Sequence, residues 1–360
     1  MKIILQCIVL FAIILTFGSC KTHPRLVHIN RAFYFWKSNE YSLNENELKA
    51  LKNLKINKLY VKFFEVEPDV FFGTKPTAKT TIHIWSNYDL INKDTILEKA
   101  MSGLEIIPTV FIKNLSLINH THAALDSLAD NIVFLTNKMY KENIRNNKGF
   151  NELQIDCDWT AKTKDNYFYL LVAIRKLSGK KLSCTLRLYP YKYPEIMGVP
   201  PVDKAMLMCY NLDRPLDNDD KNSILESGTL KKYLNVKQKY PLHLDIALPV
   251  FSWMQVYQNQ QFASIINGSK DELPGRLLKI KPLWYEVQQE MTVDGIFLKE
   301  GDLVKNEEVS ETAINECVSL LKKNVQLDDS FTITLFHLDD KNLEKYSHET
   351  LLKFYTDFNN

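Results

Sequence analysis

Glycine is scarce in this chain, 11 of 360 residues. No stretch reads GxGxxG or GxxxxGK[ST], so the glycine-rich loops that cradle phosphate in nucleotide enzymes are missing. The GxSxG elbow of many serine hydrolases is absent as well. Neither charge dominates: 45 Lys and Arg face 43 Asp and Glu, a net charge of +2. There is no global field to recruit nucleic acid and no basic run with interleaved aromatics to do so locally. The near balance points instead to an uncharged partner. None of the six cysteines has CxxC spacing. His120-Thr121-His122 reads as a polar loop before a helix, so the sequence names no metal and no other cofactor.

What is present begins with Met1-Lys2 and an apolar stretch from Ile3 to Phe17. It is shorter than the ~20 residues of a transmembrane helix and fits the apolar region of a secretory signal. Phe17-Gly18-Ser19-Cys20 follows and resembles the lipobox of bacterial lipoproteins, with Phe17 where Leu is usual. That resemblance implies a signal peptide at 1–19, lipidation of Cys20 and a tether at 20–27. A diacylglyceryl group plus an amide-linked chain such as palmitate exceeds the two-chain threshold for stable anchoring. The expected location is a bacterial cell envelope. Cys157, Cys184, Cys209 and Cys317 each fall within an apolar strand or helix pattern and read as buried free thiols.

From residue 28 onward, apolar strand patterns alternate with helical ones. Strands are expected at Ile29–Trp36, Lys58–Val66, Glu105–Lys113, Glu152–Trp159, Leu182–Leu188, Ala205–Asn211, Leu242–Phe251 and Phe331–Leu338. Helices are expected at Glu45–Leu54, Ala123–Glu142, Lys164–Leu177, Glu307–Lys323 and Leu343–Phe358. Eight strands separated by helices predict an α/β fold, a (β/α)8 TIM barrel over residues 28–360 with its site at the strand ends. The interval between strands seven and eight is too long for one helix. A small α+β insertion is expected at about 254–305, with a helix around Glu272–Glu290 and a hairpin at Gly295–Val304 tipped by Glu300-Gly301-Asp302.

Alternate residues of a strand share a face. Gln154, Asp156 and Asp158 therefore point one way and Cys157 the other. Two carboxylates inside a barrel are costly unless they are hydrogen-bonded or used, and at close range they raise one another's pKa. Met206, Met208 and Tyr210 likewise share a face, which carries the Tyr210 hydroxyl toward the same pocket.

These residues resemble chitinase-like family-18 glycoside hydrolases. Ile155-Asp156-Cys157-Asp158-Trp159-Thr160 is similar to the end of the family's strand-four motif D-G-x-D-x-D-W-E. Met208-Cys209-Tyr210-Asn211 is similar to M-x-Y-D on strand six, and Ala247-Leu248-Pro249-Val250-Phe251 to G-x-P-x-Y on strand seven. Phe336-His337-Leu338-Asp339-Asp340 resembles W-S-x-D-D on strand eight, with His337 in the Trp slot. The ordered set spans most of the chain after residue 28, and many chitinases carry an insertion at the same point. The resemblance implies that Asp158 matches the acetamide-orienting Asp and Tyr210 the Tyr that helps it, with Asn211, His337 and Asp339 lining the site. The general-acid Glu is replaced by Thr160, which has no pKa near neutrality from which to protonate a leaving group. Leu153 and Gln154 also replace the leading Asp-Gly.

Two functions compete. One is a lipid-anchored, noncatalytic barrel that binds glycan of N-acetylhexosamine type on Trp36, Trp159, Tyr189 and Trp253, whose flat rings suit sugar faces. The other is an active glycosidase with a relocated acid: Asp156, Asp158, Glu65, Glu67 or Asp339. A protein-binding envelope scaffold is a third reading. Cys20→Ser is expected to move the protein from the membrane fraction to the soluble fraction, and unchanged fractionation would remove the anchor.

Overall fold

The computed structural model describes residues 28–37, 41–69, 73–77, 82–83, 103–144, 149–216, 221–236 and 238–359. The expected signal peptide, Cys20 and the tether lie outside these residues. Among the described residues, no helix is long and apolar enough to cross a membrane.

Eight parallel strands close on themselves: β1 (His28–Phe35), β3 (Lys58–Asp69), β6 (Glu105–Ile112), β7 (Glu152–Asp156), β8 (Lys181–Leu186), β9 (Lys204–Met208), β10 (His243–Pro249) and β18 (Ser330–Phe336). Each pairs with the next, and β1 pairs with both β18 and β3, so no edge is left in the ring. The fold is the expected (β/α)8 barrel. Between β1 and β3 lies β2 (Tyr41–Ser42), which pairs with β5 (Ile82–His83), and β4 (Gly73–Thr77) adds antiparallel to the end of β3. Outward-facing residues such as Leu153, Ile155 and Cys157 are fully buried against the helices. The helices Lys164–Ser178 and Glu311–Asn324 bury Tyr167, Leu170, Leu171 and Ile174, and Ile314, Cys317, Val318 and Leu321, on their inner faces. Cys157, Cys184, Cys209 and Cys317 are all buried and free.

The barrel interior is polar. At its N-terminal end the Lys204 amine lies 2.9 Å from Glu152 and 2.8 Å from Asp245. Asp245 also accepts from the Thr332 amide at 2.6 Å, and His243 bridges Asp245 and Asp328 at 3.3 and 2.7 Å. Burial opposes the charge on Asp245, but His243 and Lys204 outweigh it and hold the carboxyl well below its usual range. Above this layer the Tyr34 hydroxyl donates to Gln154 Oε1 at 2.7 Å.

The insertion differs from its expectation: among the described residues it is β-structure with one short 3-10 turn. Strands β11 (Trp253–Gln258), β12 (Gln261–Asn267), β13 (Leu277–Lys281), β14 (Trp284–Val287) and β17 (Leu303–Glu307) form an antiparallel sheet. The helix expected around Glu272–Glu290 is instead the β13–β14 pair. Pro282 lies at its centre, where it removes a helical donor and clashes with the preceding turn. The hairpin is β15 (Met291–Val293) and β16 (Ile296–Leu298), and its tip is Asp294-Gly295, both at positive φ as a tight two-residue turn requires. Met291 and Leu298 of the hairpin close a second core over Met254, Val256, Val287 and Val304. The final helix is also divided, into Asp340–Glu344 and His348–Thr356, with Ser347 capping the second piece.

One carboxylate fixes the insertion to the barrel. Glu307 is fully buried and accepts from Trp253 Nε1 (2.6 Å), Gln255 Nε2 (2.9 Å), and the amide (2.9 Å) and hydroxyl (2.7 Å) of Ser223, with Lys305 at 2.9 Å. Ser223 belongs to the loop that follows barrel strand β9. Glu307→Ala withdraws these acceptors together with the charge opposite Lys305. It is expected to cost roughly 3–5 kcal/mol, read as a lower urea midpoint.

Candidate glycan-binding cleft

The site is built where β7, β8, β9 and β10 end. Asp156 closes β7, partly buried, and its Oδ1 accepts from the Thr185 hydroxyl of β8 at 2.6 Å. Burial, reinforced by the neighbouring Asp158 charge, raises its pKa to about 7. Asp158, two residues on, is exposed and lies 3.4 Å from Arg187 Nε. Arg187, just past β8, also donates from Nη2 to the Asn211 carbonyl at 3.0 Å. One guanidinium thus ties the loop after β7 to the loop after β9.

Tyr210 follows β9 as strand parity requires. Its ring is buried 5.9 Å from Phe251 and 5.1 Å from Phe336, and its hydroxyl donates to Met208 Sδ at 3.5 Å. Burial, then the charge of Asp156, pushes that hydroxyl's pKa well above its ordinary value. Asn211 sits at φ +50°, and its buried Oδ1 has no hydrogen-bond partner among the described residues. It lines a cavity of about 330 Å³ with Arg187, Tyr189, Tyr210 and Trp253. Trp253 packs on Phe251 at 5.4 Å and is held by its indole bond to Glu307. Tyr189 is 46% exposed and tilts over Tyr193 at 4.8 Å. It forms a ridge between this cavity and a neighbour of about 420 Å³ walled by Asp158, Thr160 and Arg187.

Several expected site residues do other work. Trp159 is 3% exposed, stacks on Tyr167 at 5.2 Å and donates its indole N–H to the Met197 carbonyl. It is a packing residue whose edge only borders the cleft. Trp36 is half-buried among Tyr34, Phe111 and Phe336, with the Lys62 amine 5.3 Å from its ring centre. Asp339 caps the helix Asp340–Glu344 by accepting from the Lys341 amide. His337 lies beside Phe336 at 5.3 Å, and its pKa is lowered chiefly by burial. Glu65 and Glu67 are ion-paired, to Lys62 at 3.1 Å and Lys113 at 2.5 Å. Thr160 is exposed. Its amide donates to Thr163 Oγ1 at 3.0 Å, and its hydroxyl lies 3.3 Å from that same oxygen. Of the loop histidines, His120 contacts the Thr74 hydroxyl at 3.0 Å, and His122 stacks on Tyr169 at 3.9 Å. Among the described residues no group of three or more His, Cys, Asp or Glu is placed to hold a metal.

Arg187 is the central residue that the sequence did not single out. Its signal was a cation at the junction of a strand and the next loop, obscured by an expected strand that ran on to Leu188.

Solved structures that share this eight-stranded barrel fold include chitinases and chitinase-like proteins. The spore cortex-lytic enzyme SleL of Bacillus cereus is 12% identical, covering 92% of this chain and 74% of that one, with a TM-score of 0.51. A chitinase from Chromobacterium violaceum is 13% identical over 88% of this chain and 97% of that one, with a TM-score of 0.49. The chitinase-like agglutinin of Robinia pseudoacacia is 12% identical over 89% and 99%, with a TM-score of 0.47. No family model matches the sequence, and no curated protein does. At these identities the likeness is one of fold.

The raised pKa of Asp156 has a definite linkage sign. The native state keeps a proton that the unfolded chain loses near its ordinary pKa of about 4. Stability therefore falls as pH rises from there to about 7. Asp156→Asn is expected to flatten this fall in urea midpoints measured across that window, and an unchanged slope would refute the assignment.

Proposed function

We propose that the chain is a lipid-anchored protein of a bacterial cell envelope whose barrel binds glycan of N-acetylhexosamine type without cleaving it. The observation that carries the noncatalytic reading is Thr160. It stands where the resemblance requires a general acid, and its hydroxyl is engaged with Thr163. A threonine hydroxyl does not titrate near neutrality and cannot protonate a leaving oxygen. Binding is supported by an open cleft in which Tyr189 and Trp253 present rings, Arg187 presents donors, and the buried Asn211 Oδ1 awaits a donor. A buried acceptor without a hydrogen bond is costly, and a ligand hydroxyl or amide supplies one. The fold shared with SleL, named a cortex-lytic enzyme, supports a carbohydrate ligand. The anchor rests on the lipobox-like Phe17-Gly18-Ser19-Cys20.

One observation favours the second reading, an active hydrolase. The carboxyl of Asp156 has a pKa of about 7, suited to a general acid at neutral pH. Full-length protein in detergent is expected to release no reporter group from chitobiose or chitotriose substrates. Turnover that vanishes in Asp158→Asn would replace binding with hydrolysis. On a glycan array the wild type is expected to retain N-acetylhexosamine oligomers, and Tyr189→Ala to bind them about fivefold more weakly, since an aromatic contact contributes ~1 kcal/mol. An array with no retained glycan would favour a protein-binding scaffold.

A further inference from the structure

Three cavities meet at Tyr189. Two are the cavities already described, toward Trp253 and toward Asp158. The third, of about 340 Å³, lies among Lys192, Lys221, Lys232, Tyr193 and Tyr233. Its chemistry differs from theirs. The Lys192 amine is 5.1 Å from the centre of the Tyr193 ring and 5.9 Å from that of Tyr233, so two aromatic faces hold it in place. Lys221 and Lys232 are exposed.

Among the described residues, two carboxylates lie nearby, Asp213 and Glu226. Asp213 Oδ2 accepts from the Thr229 hydroxyl at 3.4 Å. Glu226, which feels the charge of Lys221, caps the helix Ser227–Leu234 by accepting from the Gly228 and Thr229 amides at 2.8 and 2.6 Å. Among the described residues, none of the three amines has an ion-pair partner. A pocket of three amines, one of them held against two aromatic rings, opening off a sugar-sized cleft, fits an anion carried on an apolar body. Among the described residues, Asp213 at its edge and Glu226 beside Lys221 offset part of the three lysine charges, and the modest positive balance suits a monoanion.

We propose that the ligand is an N-acetylhexosamine chain bearing carboxylate substituents. Its backbone lies across Tyr189, between the Asp158 and Trp253 cavities, and one carboxylate branch enters the pocket of Lys192, Lys221 and Lys232. This rests on the glycan reading above and specifies the class of glycan. It also reverses the neutral partner suggested by the net charge of +2, a whole-chain sum that conceals local segregation of charge.

Titration calorimetry on full-length protein in detergent tests the proposal with three probes. They are a tetrasaccharide of alternating N-acetylglucosamine and N-acetylmuramic acid, its methyl ester, and chitotetraose. The acid is expected to bind about tenfold more tightly than the ester at low salt, the size expected of a few exposed ion pairs. The gap should close toward about 1 M salt, where the screening length falls to ~3 Å. Lys221→Gln/Lys232→Gln is expected to reduce the acid to the affinity of the ester while chitotetraose binding is unchanged, which also shows that the variant is folded. Equal binding of acid and ester would overturn this inference and leave glycan binding standing. Failure of all three probes would overturn the glycan reading beneath it.

Discussion

At the N-terminal mouth of the barrel, the Lys204 ammonium sits between Glu152 and Asp245, and these three charges join β7, β9 and β10 across the interior. Burial works against the charge on Lys204, but the two carboxylates outweigh it and hold its pKa above the ordinary lysine value. A buried charge lacking its partner is among the costlier defects a fold can carry. The cluster therefore constrains which strands can be neighbours and in what register. The Thr332 amide bonded to Asp245 extends the constraint to β18, and the Tyr60 hydroxyl, 3.3 Å from Lys204, extends it to β3. The cleft at the opposite end depends on this register, because it fixes which residue of each strand emerges at the rim.

Polarity continues up the interior, through Gln154, Tyr34 and Thr185, to Asp156. Tyr34 of β1 bonds Gln154 of β7 across the interior, and Thr185 of β8 bonds Asp156 on the neighbouring strand, so Asp156 is placed at a strand end held by its surroundings. The pair Asp156 and Asp158 is nonetheless asymmetric. Asp156 is sheltered, and burial raises its pKa to about 7, whereas Asp158 is exposed beside Arg187. Thr160, at the position to which the resemblance assigns proton delivery, offers a hydroxyl that does not titrate near neutrality.

The eight strands were legible because each is a short apolar run bounded by polar clusters, the pattern of a strand buried on both faces. The insertion was not. Leu277-Leu278-Lys279-Ile280-Lys281 has no clear alternation, and its strand character comes from pairing with β14, a long-range contact that local pattern does not contain. Strand parity puts Asp156 and Tyr210 on the inward face, near enough for the Asp156 charge to act on the Tyr210 hydroxyl. The same parity, carried one step further, sets Trp159 on the outward face with Leu153, Ile155 and Cys157, where it packs against Tyr167. The expectation of a sugar platform there followed residue type over geometry. The lysine pocket was invisible in sequence because Lys192, Lys221 and Lys232 are brought together only by the path of the chain.

The Glu307 anchor has a consequence for how such a protein can change. It binds the base of the inserted sheet, the indole of Trp253 and the loop at Ser223 into one hydrogen-bonded unit. The insertion cannot be exchanged for a foreign one without also losing the rigidity of the rim below it. Within a lineage, the insertion and the loop at Ser223 are expected to be inherited as a single module and to diversify in step, although the barrel strand β10 lies between them in the chain.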